Sequence, residues 1–435
     1  MTHTEIGLIG LAVLFILFVL RMPVGLTMLI VGFLGNAAIA GWSHALPSLS
    51  SETFAIASFY QLVVIPMFVL MGNLAGASGM GRDLYNAAYA WVGHVRGGLA
   101  SATVIACACF ASLCGSAAAS AVTMGRVALP EMKRFKYDDA LATGTVASGG
   151  TLGFIFPPSA GLVIYAILTE QALGRLFLAG VVPGIILTIM FLVVIRIVTG
   201  IRKEAGPPGP RASRQERIAT LKQAAGIILI IGVTIGGMYG GLFTPIEASG
   251  FGAGFTLLLA LIRRRLNWPV LRAVVLQTMR TSATIFLILM GAYVFIPFMT
   301  LSQLPEILVG FLLGFDFSPT VVLVIIICMY LILGTFMEDF SMLILTLPVV
   351  MPVLKTLNVD LIWFGVVAVL IIQMGILSPP VGLAVFIVKG IVPDVPMYTI
   401  FRGIWPFWYA MGLLIILLLI FPQLALFLPN TMFGN

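Results

Sequence analysis

Apolar residues fall in long blocks along the chain, and short polar or Gly/Pro-rich segments punctuate them. A helix needs about 20 apolar residues to cross a bilayer. The blocks 5–20, 23–41, 53–76, 138–168, 173–199, 223–243, 245–262, 270–298, 360–388 and 404–428 are the predicted crossings. They lack sustained period-two alternation. They therefore read as helices, which satisfy their own backbone groups in lipid, rather than as barrel strands. Blocks 99–131 and 321–353 are too long for one crossing and are polar at their centres, with Gly, Ser, Thr or Asp at the midpoint. We read them as re-entrant hairpins that enter and leave on one side. Segments 80–95 and 300–316 are predicted to lie along the interface. Leu84, Ala87, Trp91 and Val95 form one face of the first; Leu301, Leu304, Leu308 and Phe311 form one face of the second.

Composition agrees with this pattern. Of the 435 residues, 60% are hydrophobic and 9% charged, against roughly 25% charged in soluble domains. The net charge of +7 does not point to nucleic acid, because the basic residues cluster at the ends of apolar runs. With the N-terminus outside, 21 of the 23 Lys and Arg fall inside and only Arg175 and Lys355 fall outside. That bias predicts both termini outside and the linker 200–222 cytoplasmic. The start, MTHTE, carries no basic residue before its apolar run, so 5–20 reads as a retained span. Cys107, Cys109, Cys114 and Cys328 have no zinc-type spacing and read as reduced packing residues. His3, His44 and His94 are scattered.

The Pro/Gly-rich linker divides the chain into two similar halves, 1–205 and 223–435, joined by 206–222. Leu70-Met71-Gly72 recurs as Leu289-Met290-Gly291. Gly153-x-x-x-Pro157-Pro158 recurs as Gly375-x-x-x-Pro379-Pro380. Pro23 with Gly32 recurs as Pro245 with Gly254. Each half has an odd number of crossings, so the second copy is predicted to be upside down. The expected fold is an all-α polytopic membrane protein with an inverted structural repeat, two re-entrant hairpins and two broken helices, a signature of secondary transporters.

Four interruptions hold the candidate chemistry: the hairpin centres at Ser112–Ser116 and Gly334–Ser341, and the breaks at Gly149–Pro158 and Met374–Pro380. Tandem prolines remove backbone donors and free carbonyls, and glycines allow close backbone approach. Such backbone survives at membrane depth only against protein or a wet cavity. Oxygen ligands there suit a small cation, and helix N-termini suit an anion. Ser116, Thr151, Pro157, Asp339 and Pro379 are the candidate substrate contacts. One GxxxPP alone reads as a proline kink; two, each paired with a polar hairpin, favour an ion and substrate site. An ionised Asp339 at such depth is costly and marks function, whereas Glu338 reads as its wetted neighbour. Ser112 and Ser120 could instead bond back to their own helices. Glu247, after Thr244-Pro245, reads as a structural cap. The chain has no HExxH, GxSxG, P-loop or GxGxxG signature, so no enzyme and no cofactor is expected. Uphill transport would draw on an ion gradient or on another subunit.

Ser112–Met132, Gly149–Gly180 with IYAILTEQALGRLFLAG, the TPxEA pattern at Thr244–Ala248, and Gly375–Lys389 followed by GIVPDVP resemble the large membrane subunit of tripartite ATP-independent periplasmic (TRAP) transporters. The resemblance spans essentially the whole chain. It implies a bacterial inner-membrane importer of organic acids (a C4-dicarboxylate, sialic acid or a similar carboxylate), coupled to sodium ions and working as an elevator. It implies two partners: a periplasmic solute-binding protein and a small four-helix membrane subunit on a separate chain. Family sodium sites, where hairpin tip meets broken helix, carry onto Ser112, Gly115, Ser116, Gly150 and Gly153, and onto Gly334, Thr335, Gly375 and Ser378. Ile246 stands where many relatives have Thr. The competing readings are a stand-alone sodium–carboxylate symporter of the same superfamily, a passive anion channel and, last, an enzyme. The outer face is predicted to be poor in charge, with Arg175, Lys355, Glu170, Glu306, Asp316 and Asp360. That suits delivery by a binding protein better than capture of a dianion through a basic funnel.

Overall fold

The computed structural model describes residues 2–313 and 318–433. The described residues are helices joined by short connections. The first half holds α1 (His3–Val19), α2 (Val24–Ala40), α3 (Trp42–Ala57), α4 (Val64–Ala77), α5 (Met80–Val92), α6 (Gly98–Cys114), α7 (Ala117–Arg134), α8 (Asp139–Thr151), α9 (Ala160–Thr169) and α10 (Leu173–Ile201). The second half holds α11 (Arg214–Tyr239), α12 (Pro245–Ile262), α13 (Trp268–Leu301), α14 (Leu304–Leu313), α15 (Pro319–Gly334), α16 (Asp339–Thr356), α17 (Leu361–Leu377), α18 (Leu383–Ile391), α19 (Met397–Ile420) and α20 (Gln423–Phe433). Seven helices have the length and apolar composition to cross a membrane. Most of the shorter apolar ones are hairpin arms or halves of interrupted helices.

Local sequence sets the helix starts. Thr2 with Glu5, Ser213 with Glu216 and Thr244 with Glu247 form capping boxes, and Pro245 follows the last of these caps. Glu247 is thus the structural cap expected of it. Ser116, Asp138, Ser159, Ser318 and Asp360 cap α7, α8, α9, α15 and α17 with their side chains.

Three expectations are corrected. The block 53–76 is not one span. The Ser58 hydroxyl donates to the Phe54 carbonyl at 2.7 Å, Phe59 is extended, and a one-turn helix at Tyr60–Val63 leads into α4. The block 404–428 breaks at Pro422, which lacks the N–H to continue α19, and α20 follows as a separate helix. On α5 the buried face is Met80, Asp83, Leu84, Ala87 and Ala90. Trp91 is exposed, with the Arg217 guanidinium 5.8 Å from its ring centre. In the segment 300–316, the side chains of Leu308 and Phe311, and all of Asp316, lie outside the described residues.

The helices pack in two groups. Helices α1–α4 pack with α11–α13, and α2 lies along α13. There, Cβ atoms on Gly25 and Gly32 would stand 2.5 Å from the Leu287 carbonyl oxygen and 2.7 Å from Phe295 Cα. This is small-residue packing of membrane helices, where close backbone approach replaces a hydrophobic drive. The second group contains the hairpins α6–α7 and α15–α16, the interrupted pairs α8–α9 and α17–α18, and α10, α19 and α20. In it α8 meets α19, with Gly144 against the Gly403 backbone. Helix α5 joins the groups, packing on α6 and α7 on one side and on α11 on the other.

Candidate functional site: a cavity between the two helix groups

A cavity of about 1000 Å³ opens between the groups. One wall is Gly72, Asn73 and Gly76 of α4 with Gln277, Thr281 and Ile285 of α13; the other comes from α7, both hairpin tips and Leu383. Ser78, Gly79, Arg82, Asp83 and Arg265 line one end.

The first tip is a two-residue turn between α6 and α7. Gly115 has φ +59°, a conformation that costs an L-residue roughly 1–2 kcal/mol, and a Cβ there would stand 2.6 Å from the Pro158 carbonyl oxygen. The Ala160 N–H donates to the Gly115 carbonyl at 3.2 Å, fastening tip to break. A Cβ on Gly153 would stand 2.6 Å from the Ser116 carbonyl oxygen and 2.7 Å from Ser120 Oγ, and one on Gly150 2.7 Å from Ala121 Cβ. Gly115, Ser116, Gly150 and Gly153 are therefore brought together, with Pro157 buried in the adjoining break. Ser112 is buried one turn back on α6. The Ser116 hydroxyl accepts from the Ala119 N–H at 3.4 Å.

The second tip, Thr335–Glu338, joins α15 to α16. Gly334 lies on Gly375: a Cβ on Gly375 would stand 2.7 Å from Gly334 Cα. The Thr335 hydroxyl donates to the Ile332 carbonyl at 2.8 Å. Ser378 donates to the Met374 carbonyl at 2.7 Å and accepts from Trp408 Nε1 at 2.8 Å. Pro379 is exposed. Glu338 and Asp339 both line the large cavity. Asp339 also lines a second cavity of about 20 Å³ together with Ala117, Thr151 and Ile376, which brings Thr151 and Asp339 to one space. Neither cavity is lined by Pro157 or Pro379. In both breaks the Pro-Pro bond is cis.

Sequence reasoning missed several polar groups. Gln373 of α17 is fully buried with its amide toward Asp339, and it has no other hydrogen-bond partner among the described residues. Ser120 Oγ, beside the Cys114 thiol, and Asp339 Oδ1 are buried at the two tips with no strong hydrogen bond. Buried polar atoms are rarely left so, and these two can take a polar ligand. Gln373 had a visible signal: it is the lone hydrogen-bonding amide side chain in the run Leu361–Leu377. Arg126, on the cavity wall, has no sequence signal beyond its place among the 21 inside charges. At the cavity end, Asp83 of α5 takes Arg263 Nη1 and Arg265 Nη1 on one oxygen, each at 2.8 Å, tying α5 to the end of α12.

The family model described as "Tripartite ATP-independent periplasmic transporter, DctM component" matches residues 11–424. The C4-dicarboxylate TRAP transporter large permease protein DctM of Pseudomonas aeruginosa is 34% identical over 88% of this chain and 89% of its own length. The sialic acid TRAP transporter large permease protein SiaM of Vibrio cholerae is 34% identical over 86% of this chain and 87% of its own. Among solved structures, the YdaH transporter of Alcanivorax borkumensis superposes with a TM-score of 0.66 at 14% identity, covering 96% of this chain and 99% of that one. That likeness bears on fold alone and agrees with an all-α membrane transporter. The family match over nearly the whole chain and the 34% identical relatives make the assignment: the chain belongs to the DctM family, the large permease component of TRAP transporters.

Proposed function

We propose that this chain is the sodium-coupled, substrate-conducting subunit of an importer of organic acids in the bacterial inner membrane. The carrying observation is the cavity between the helix groups, which receives both hairpin tips, with buried polar atoms beside them that make no strong hydrogen bond. In this reading the α1–α4 and α11–α13 group is the scaffold of an elevator, and the hairpin group moves past it with the cargo. The two halves, 1–205 and 223–435, are inverted repeats joined by 206–222. Two sodium sites form where tip meets break: Ser112, Gly115, Ser116, Gly150 and Gly153 in one half, Gly334, Thr335, Gly375 and Ser378 in the other. Ser116, Thr151 and Asp339 face the substrate. Both termini are periplasmic, and the cavity opens inward, because Arg82 and Arg265 at its end belong to the segments that the charge bias assigns to the cytoplasm. The relatives' names favour a carboxylate cargo. A periplasmic binding protein delivers it, and a separate small four-helix subunit packs beside the scaffold. No catalytic step is involved.

The test is uptake into proteoliposomes with an inward sodium gradient, using succinate and sialic acid as first cargoes. Uptake is expected only with the loaded binding protein and the small subunit present, and is expected to vanish when potassium replaces sodium. Robust uptake by this chain alone would favour the stand-alone symporter. Topology is checked separately: Ser318→Cys should react with an impermeant thiol reagent in spheroplasts, and Ser213→Cys should not.

A further inference from the structure

We propose that Arg126 is a carboxylate-binding station on the cavity wall, separate from the hairpin tips. This rests on the reading of the cavity as the transport route. Helix α7 lines the cavity with Ala118, Ala119, Val122, Thr123 and Arg126, a single face at three- and four-residue spacing. Four of these side chains are small, so Arg126 is the large charged group on that wall. It stands ten residues from Ser116, about 15 Å along the helix axis. Even leaning toward the N-terminus, as helical side chains do, its guanidinium sits apart from the tip.

Charge around the cavity gives Arg126 a distinct role. Among the described residues the ion pairs are Lys133–Asp394, Arg134–Glu131 and the pairs of Asp83 with Arg263 and Arg265. Arg265 shares the single carboxylate of Asp83 with Arg263, so that cluster keeps one net positive charge but its guanidinium groups are engaged, and Arg82 is exposed in the first turn of α5 at the cavity end. Arg126 has no acidic partner among the described residues, and its exposed side chain, at the middle of α7, is free to meet a ligand in the cavity. Glu338 and Asp339 line the cavity from the second tip, whereas α7 brings no acidic side chain to it. An organic anion is therefore held with its carboxylate toward Arg126. A guanidinium fork matches both oxygens of that group. On the facing wall, Gln277 and Thr281 of α13 sit one turn apart and offer hydrogen bonds to the rest of the cargo. At the repeat offset of the Pro-Pro motifs, the second half has Pro348, so the station is single.

The test reads charge and binding without transport. In the purified full chain, with Cys107, Cys109, Cys114 and Cys328 replaced by Ala, Val122→Cys is a reporter one turn from Arg126. Its reaction rates with an anionic sulfonate and a cationic trimethylammonium methanethiosulfonate are compared, and the comparison is repeated at Thr123→Cys. A unit charge about 6 Å away in a water-like medium shifts each rate about threefold in opposite directions, so Arg126→Gln should lower the anion-to-cation ratio about tenfold. Arg126→Lys should keep most of it. Succinate should slow the anionic reagent with Arg126 present and not with Arg126→Gln. An unchanged ratio in Arg126→Gln, or equal succinate protection in both proteins, would overturn the proposal. None of these rates needs sodium, a binding protein or the small subunit, so the station and the transport reading can fail independently.

Discussion

The two hairpin tips occupy equivalent places in the two halves but are built differently. The first is made of small, uncharged residues and is gripped from three sides: by Pro158 and Ala160 of its break, by Gly153 against Ser116, and by Gly72 of α4, where a Cβ would stand 2.7 Å from Cys114 Cα. The second crosses its break at Gly334 on Gly375, packs Phe340 on Phe154, and presents Phe336, 64% exposed, with Glu338 and Asp339 beside it. Gly291, the repeat partner of Gly72, packs on Gly25 of α2 rather than on the second tip. Both tips line the cavity, but the first is also seated against the scaffold helix α4, whereas the second brings two acidic side chains into the cavity. The same motif thus serves two ends: an uncharged tip gripped on its backbone in the first half, and a charged, more open one in the second.

The largest effects should come from crowding the seated tip. Gly115→Val places a branched side chain at φ +59° against the Pro158 carbonyl, and overpacking of this kind typically costs 1–3 kcal/mol before backbone strain is added. Uptake should be abolished while the protein still reaches the membrane. Gly334→Val should also abolish uptake. The alanine pair sharpens the comparison: Gly115→Ala should lose at least about tenfold more activity than Gly334→Ala, because residue 334 has an ordinary helical conformation. Equal losses in initial-rate assays would mean that the tips are built more alike than their contacts show.

Next is the clamp at the cavity end. Asp83 is buried, so Asp83→Asn leaves Arg263 and Arg265 without their shared carboxylate. A fully buried pair costs 3–5 kcal/mol to break. The arginine side chains remain 20% and 39% exposed, which lowers the expectation to about 2 kcal/mol. A thermal melt of the purified protein should fall by a few degrees. Because α5 bridges the helix groups, uptake should fall with it. An unchanged melting temperature would remove the clamp from the account.

Much of this architecture was legible in the sequence. The hairpins over 99–131 and 321–353 showed themselves because Gly115-Ser116 and Glu338-Asp339 interrupt runs too long for one crossing. The breaks showed themselves through Pro157-Pro158 and Pro379-Pro380. What stayed hidden depends on distant neighbours. Nothing local marks Ser120 as weakly partnered or Arg126 as unpaired; both follow from which helices pack across the cavity. The α3–α4 division was masked because Ser58 and Phe59 interrupt an apolar stretch by backbone geometry, with no proline to announce it.

The smallest effects concern two hydroxyls, where the comparison between tips is most exacting. Ser120 Oγ stands beside Gly153 with no nitrogen or oxygen partner and only the weak Cys114 thiol near it, whereas the Thr335 hydroxyl already donates to the Ile332 carbonyl at 2.8 Å. A weakly partnered buried hydroxyl is costly unless something occupies its lone pairs, and a cation would do so. A hydroxyl that donates to its own helix still has lone pairs to offer, but removing it also frees a carbonyl that can take over. Ser120→Ala should therefore raise the sodium concentration for half-maximal uptake about tenfold, which corresponds to about 1.4 kcal/mol of lost binding. Thr335→Ala should raise it only two- to threefold, within the net worth of one hydrogen bond. Sodium titrations of initial uptake rates check the order. If Thr335→Ala has the larger effect, the open tip holds the ion more dependently on its side chain than the seated one does. The division between an uncharged tip gripped on its backbone and a charged, more open one would then have to be drawn around sodium as well as around substrate.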